Sequence, residues 1–188
     1  PELVQLKVYQ NALSLNDLGT AIQSLHYMIA ADSVKYGKYE DTLAILYAQI
    51  NAFNPAYILA DRLLSQKGYT EIRMQIKGLA AKNLNEPIEA INAYTDLFTR
   101  TTNPVYGMEQ LQLEYGIRRL GEAVVTGNKV LALIPPNDST QVRMAKLQEK
   151  TMQVVSLRAA VHNLLGLAYL DLKDKKSAVI NFEEALKE

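Results

Sequence analysis

The chain has 188 residues, 48% of them apolar and 21% charged, which is long enough for a sizeable core and too apolar for a disordered segment. Basic and acidic side chains number 20 each, so no net field favours a polyphosphate or an anionic membrane surface. Cysteine is absent, which excludes disulfides and thiolate chemistry, and no apolar run nears the ~18 residues that cross a bilayer.

Helical periodicity begins at once. The stretch from Leu3 to about Leu15 carries Tyr9 and Ala12 at inward positions, and a clearer second helix carries Ala21, Leu25 and Met28. A second pair starts near Gly37, with Leu43, Ala44 and Tyr47 on its first helix and Ala56 and Ala60 on its second. There Asn54-Pro55 supplies a cap and a first-turn proline. The third pair starts near Glu71 with Gly78, then Ala90, Tyr94 and Leu97 after Pro87. The fourth starts near Val105 and holds Leu111, Tyr115, Val124, Leu131 and Pro136. Gly116, Gly121 and Gly127 make it the least regular, since glycine inside a helix costs roughly 0.5–1 kcal/mol relative to alanine. These starts recur every 34 or 35 residues, and the next, near Ala159, comes roughly 20 residues late.

The excess is residues 139–158. No proline or glycine occurs from Ser139 until Gly166, and Asp138 or Ser139 can cap a helix. Met144, Leu147, Val154 and Val155 recur at three-, four- and seven-residue steps, with Arg143, Lys146, Glu149, Lys150 and Gln153 mostly opposite. The pattern predicts one long inserted helix running into the last pair, on the order of 45–50 Å. Its apolar stripe needs a cover, either the groove of its own chain or a second copy.

The last pair is the most regular. Leu165, Gly166 and Tyr169 share a turn and a half, Lys173 to Lys176 form a polar break, and Ala178, Phe182 and Ala185 come next at helical spacing. Small residues at Gly166 and Ala178 allow close helix approach, with Tyr169 and Phe182 filling the space around it. This segment resembles the tetratricopeptide repeat, with His162 where the family has tryptophan. The resemblance implies an all-α, right-handed superhelical solenoid of about five helix–turn–helix repeats plus one long inserted helix. The repeats would span about 2–36, 37–70, 71–104, 105–138 and 159–188, forming a single domain over 1–188. No polar terminal helix closes the stack, so an oligomer partner or further chain is expected to cover its last face.

Little in the sequence points to catalysis. His26 and His162 lie in different repeats, and no phosphate loop, paired-histidine zinc motif or calcium loop occurs. No enzyme, cofactor or metal is expected. Tyr36, Tyr39, Tyr57 and Tyr69 cluster near the second pair's turns and read as packing between repeats, with an adhesive surface patch as the alternative. The resemblance implies a non-catalytic protein-interaction scaffold whose concave groove is lined by the first helix of each repeat. Its groove positions fall on Gln10, Ile45, Gln75, Leu79, Asn83, Leu113, Asn163 and Leu167, among others that include Asp41, Gln49 and Ile72. The row is mostly apolar and suits an apolar protein or peptide segment, not nucleic acid. Lys7 with Asn11 and Arg73 with Lys77 mimic the family's carboxylate clamp, but each pair stands one residue, about 100° of helix, out of frame. The competing expectations are homodimerisation through the insertion and a regulatory module of a larger protein. Absent cysteines and a first residue other than methionine lean towards an exported bacterial protein.

Overall fold

A computed structural model describes residues 2–135, 137–145 and 152–188. Its helices come in antiparallel pairs: α1 (Glu2–Ser14) with α2 (Leu18–Ala31), α4 (Glu40–Gln49) with α5 (Phe53–Lys67), and α6 (Glu71–Asn83) with α7 (Pro87–Thr101). They continue as α8 (Pro104–Gly116) with α9 (Leu120–Leu133) and α10 (Leu157–Asp171) with α11 (Lys175–Lys187). A short α3 (Ser33–Tyr36) and a 3-10 turn, Gly37–Tyr39, join the first two pairs. The chain divides into two compact units, one ending at Ala93 and the other running Tyr94–Glu188, with the division inside α7.

One turn design joins the helices within every pair. Asn16, Asn51, Asn85, Arg118 and Lys173 all adopt positive φ, between 56° and 66°. In each case the next amide, Asp17, Ala52, Glu86, Arg119 or Asp174, donates to the carbonyl five residues back. The left-handed residue itself donates to the carbonyl three back, which completes a Schellman motif and satisfies the last carbonyls of the first helix. In the first and last pairs the residue just after the turn caps the second helix. Asp17 accepts from Thr20 N and Asp174 from Ser177 N, each at 3.1 Å. Asparagine is the non-glycine residue best suited to left-handed backbone, which accounts for three of the five positions. The expected asparagine cap at Asn54 does not form, because α5 begins at Phe53, so Asn54 already lies inside the helix and Pro55 in its first turn.

The first unit is built on Ala21, Leu25, Met28, Leu43, Ala44, Ala56, Ala60 and Leu63, all buried. Tyr9 and Tyr36 are buried as well, and Tyr39 meets Tyr9 edge-on at 5.9 Å and stacks on Tyr36 at 6.4 Å. Those tyrosines are packing between helix pairs. Tyr57 lies apart from them, its hydroxyl 3.5 Å from Glu89 Oε2. The second unit centres on Met108, Leu111, Ala123, Val130, Leu157, Val161 and Leu165. The close approach expected at Gly166 is real: a Cβ there would lie 2.5 Å from Cε1 of Phe182. Gly127 has the same role on α9, where a Cβ would lie 2.6 Å from Cδ2 of the fully buried Leu165.

In its described residues the insertion is not the expected long helix. Residues Gln141–Ala145 (β1) and Met152–Ser156 (β2) form an antiparallel hairpin in the register Gln141↔Ser156 to Ala145↔Met152. Leu147, Lys146, Glu149 and Lys150 of the expected helix lie outside the described residues, as does Pro136. Three local features decide against the helix. Val154 and Val155 are β-branched neighbours that suit a pleated strand better than a helical face. Asp138 turns on to Thr140, accepting from its amide at 3.1 Å and its hydroxyl at 2.9 Å, and so opens a strand instead of capping a helix. Ser156 Oγ accepts from Ala159 N at 3.0 Å, so it caps α10 and starts a separate helix at Leu157. The stripe Met144, Val154, Val155 therefore splits between faces. Val142, Met144 and Val155 pack on the second unit's core, whereas Val154 points outward. Despite the insertion, α10 packs against both α8 and α9.

Candidate partner-binding groove

In the first unit, α4 and α6 are successive first helices that lie against each other. The space between them is a shallow groove of about 370 Å³, lined by Ile45, Ala48, Gln49, Ile72, Gln75, Ile76 and Leu79. Helical spacing explains the set. Ile45, Ala48 and Gln49 lie three and four apart on α4, and Ile72, Gln75, Ile76 and Leu79 do so on α6, so each triplet or quartet forms one stripe. Leu79 is 37% exposed and Ile72 more so, while Ile76 closes the floor. Gln49 and Gln75 are exposed, and neither amide has a hydrogen-bond partner among the described residues.

An ion pair joins the two helices. Arg73 on α6, only 8% exposed, donates from Nε to Asp41 Oδ1 at 2.6 Å and from Nη2 to Oδ2 at 2.7 Å, a bidentate fork. Its Nη1 donates to the Gly68 carbonyl at 2.9 Å, so the α5–α6 turn is tied in as well. Thr70 Oγ1 caps α6 by accepting from Arg73 N at 3.2 Å. The bonds from Arg73 hold the Asp41 carboxyl below the usual range, against the opposing effect of its partial burial. Lys77, one turn on, donates to Asp61 at 2.7 Å and sits over the Tyr57 ring at 5.6 Å. Arg73 and Lys77 are therefore committed to carboxylates within the unit, and the groove presents apolar side chains and neutral amides.

Of the positions inferred from sequence, Ile45, Gln75 and Leu79 line this groove together, joined by Ile72 and Gln49. Gln10 is exposed on α1 and does not line it. Asn83 turns back on its own helix, donating from Nδ2 to the Leu79 carbonyl at 2.8 Å. In the second unit, Leu113 is half-buried on α8, and Leu167 packs against the core. Asn163 lines a separate cavity of about 300 Å³ that the hairpin helps to wall, with Met144, Gln153 and Val155 facing Phe182 and Leu186. The Asp41–Arg73 fork escaped sequence reasoning because a salt bridge 32 positions apart leaves no local pattern. Asp41, expected to face a partner, is instead spent on positioning α6.

A larger cavity, about 430 Å³, lies in the first unit between α2, α4 and α5, lined by His26, Ile29, Leu43, Tyr47, Ile58 and Leu59 among others. At its rim Glu40 accepts from Arg62 at 2.7 Å and Lys67 at 2.8 Å, and His26 bonds the Tyr47 hydroxyl. Its polar groups are paired with one another, unlike the amides of the α4–α6 groove. Among the described residues no cluster of three potential metal ligands occurs, and no helix is long and apolar enough to cross a membrane.

Paired antiparallel helices joined by one repeated turn define a helix–turn–helix repeat fold. Residues 159–188 match the tetratricopeptide repeat family model. Over nearly its whole length the chain has the fold of MamA. It superposes on a crystal structure of MamA protein with TM-score 0.74 at 16% identity, covering 99% of this chain and 90% of that one. MamA from AMB-1 gives 0.73 at 16% identity over 100% and 92% of the two chains. A MamA fragment from Desulfovibrio magneticus RS-1 gives 0.70 at 13% identity over 99% and 93%. No curated protein matches the chain in sequence.

Proposed function

We propose that the chain is a non-catalytic docking scaffold and that the α4–α6 groove is where it takes a segment of a partner protein. The observation that supports this reading is the composition of the groove: a stripe of Ile45, Ile72, Ile76 and Leu79 flanked by the unpaired amides of Gln49 and Gln75. Aliphatic side chains exposed along a fixed groove offer burial to an apolar anchor. Primary amides offer both a donor and an acceptor to a peptide backbone without selecting for charge. The same reading assigns five repeat frames starting near residues 2, 37, 71, 105 and 159, supported by the left-handed turn residue that recurs at 16, 51, 85, 118 and 173.

The test uses peptides selected on the 188-residue chain from a random library. They should carry two aliphatic residues spaced to sit in one groove, and Leu79→Asp should weaken them at least about tenfold, ~1.4 kcal/mol. Leu79 is partly exposed, so this variant should keep the far-ultraviolet circular dichroism and unfolding midpoint of the parent. Peptides indifferent to Leu79→Asp and to Ile72→Asp would place recognition elsewhere. Unfolding of Leu79→Asp would make that residue core and remove the groove altogether.

A further inference from the structure

The hairpin between α9 and α10 carries a second surface, independent of the groove. Leu157 N donates to Thr140 O at 2.8 Å, and this bond fixes which pairs of the ladder bond to each other. Hydrogen-bonded and non-hydrogen-bonded pairs alternate in an antiparallel ladder. With the observed register, Val142–Val155 and Met144–Gln153 exchange backbone bonds, while Arg143–Val154 and Ala145–Met152 turn their N–H and C=O groups outward. Along β2 the outward groups thus belong to Met152 and Val154, and neither residue has any other backbone partner among the described residues. Their side chains share the outer face and are 63% and 59% exposed. The strand reads Met-Gln-Val-Val-Ser, with no charge, proline or glycine. None of the usual protections of a free edge is built into it. The β1 edge differs, because Arg143 stands at its outward position.

We propose that β2 is a self-association edge, through which two copies of this chain pair antiparallel and join their hairpins into one four-stranded sheet. Charge and register select a second copy as the occupant. In the antiparallel registers of β2 on itself centred on Gln153 or Val154, Met152 and Val154 face Met152, Val154 or Ser156 of the other copy, all uncharged and mostly apolar. Pairing through β1 centred on its outward Arg143 would instead bring Arg143 against Arg143, and like charges directly opposite are destabilising. The inner face is occupied already, since Val142, Met144 and Val155 pack on the second unit's core, so the hairpin is held as a rigid template. A two-fold pairing uses the edge of both copies and closes on itself, so assembly stops at the dimer. One short strand pair is a contact well below the standard interface size, and the association is correspondingly weak and reversible.

Sedimentation equilibrium of the full 188-residue chain from about 10 µM to about 1 mM tests this, a range that reads a weak association directly. The expected result is a reversible monomer–dimer equilibrium in which amide exchange at Met152 and Val154 slows as concentration rises. Val154→Pro deletes an outward N–H that the hairpin's own ladder does not use, a place where strands tolerate proline. It should leave the chain monomeric at the top of the range, with the Hα–Hα nuclear Overhauser contact between positions 143 and 154 retained. Val154→Glu keeps the backbone, sets an opposite charge across from Arg143 in its own ladder and brings like charges close together across the two-fold, so it should also be monomeric. If the proline variant loses the hairpin, the glutamate variant alone decides. A parent chain monomeric throughout overturns the proposal, and so does a dimer that survives in either variant with its hairpin intact.

Discussion

Replacing Gly127 by alanine should destabilise the chain, although alanine is the better helix former. A Cβ at this position of α9 would stand 2.6 Å from Cδ2 and 2.8 Å from Cγ of Leu165, which is fully buried on α10. Leu165 has no solvent side to swing towards, so the extra carbon must push two helices apart. Overpacking of this kind costs about 1–3 kcal/mol, against a helix-propensity gain of up to about 1 kcal/mol. The sign should reverse in another background. Leu165→Ala alone should cost about 2–5 kcal/mol by leaving a cavity. Adding Gly127→Ala to it should then recover about 1 kcal/mol, because the new methyl enters empty space and the propensity gain is unopposed. Urea unfolding midpoints of the four proteins form the double-mutant cycle. Strict additivity would show that the two helices do not meet at these residues.

The second large effect belongs to the fork that fixes α4 against α6. Asp41→Asn removes the carboxylate that Arg73 forks to, leaving a buried guanidinium with neutral acceptors, the amide oxygen at position 41 and the Gly68 carbonyl. Breaking a fully buried pair costs about 3–5 kcal/mol. The Asp41 side chain is 39% exposed, so solvent screens part of the loss, and about 2 kcal/mol is expected. The pH dependence has a definite sign. The Arg73 bonds depress the folded-state pKa of Asp41, so its contribution is complete above the unfolded carboxylate value of about 3.9. It is lost as pH falls through the lower folded value. The parent and Asp41→Asn should therefore differ by a constant amount at neutral pH and converge in acid. Adding Arg73→Met to Asp41→Asn should restore most of the stability, since no lone charge then remains buried. Thermal unfolding of the three proteins between pH 7 and pH 2 would show it. A gap that persists undiminished in acid would mean that the fork stabilises through shape and not through charge.

The same fork should matter to the groove, because it sets the spacing of the stripes that Ile45 and Leu79 belong to. Loss of peptide binding in Asp41→Asn, with Leu79 untouched, would be a positioning effect and not a lost contact.

The range of each interaction decided how legible it was in the sequence. Helix pairs were legible because their signals are local: apolar residues at helical spacing, Pro87 at a helix start, and the small residue Gly166 set against Phe182. The groove positions Ile45, Gln75 and Leu79 could be placed once the repeat frame was set, since frame and helix geometry together fix a face. Gly127 looked like a defect, because its justification is Leu165 on a helix beyond a long insertion. The hairpin was misread for a different reason. Over residues 139–158, a three-and-four pattern of apolar residues fits a helix as well as an alternating strand does, and no glycine or proline breaks the tie. The capping serine and the aspartate turn decided it, and both act through side-chain bonds that composition does not reveal. Asn16, Asn51 and Asn85 were present as a periodic signal at the turns, and they mark the repeat more regularly than the weak first helix of the opening pair.

The bond from Leu157 to Thr140 closes the base of the hairpin just where α10 begins, and α10 still packs on α8 and α9. That bond and the strand residues Val142, Met144 and Val155, which pack on the core, hold the excursion in place. Lengthening such a closed excursion adds only about 0.6 kcal/mol of closure entropy per doubling. The joint between α9 and α10 is thus a port for foreign sequence. An epitope or a reporter strand grafted between β1 and β2, leaving both strands in place, would be displayed on a scaffold that has no need to refold around it.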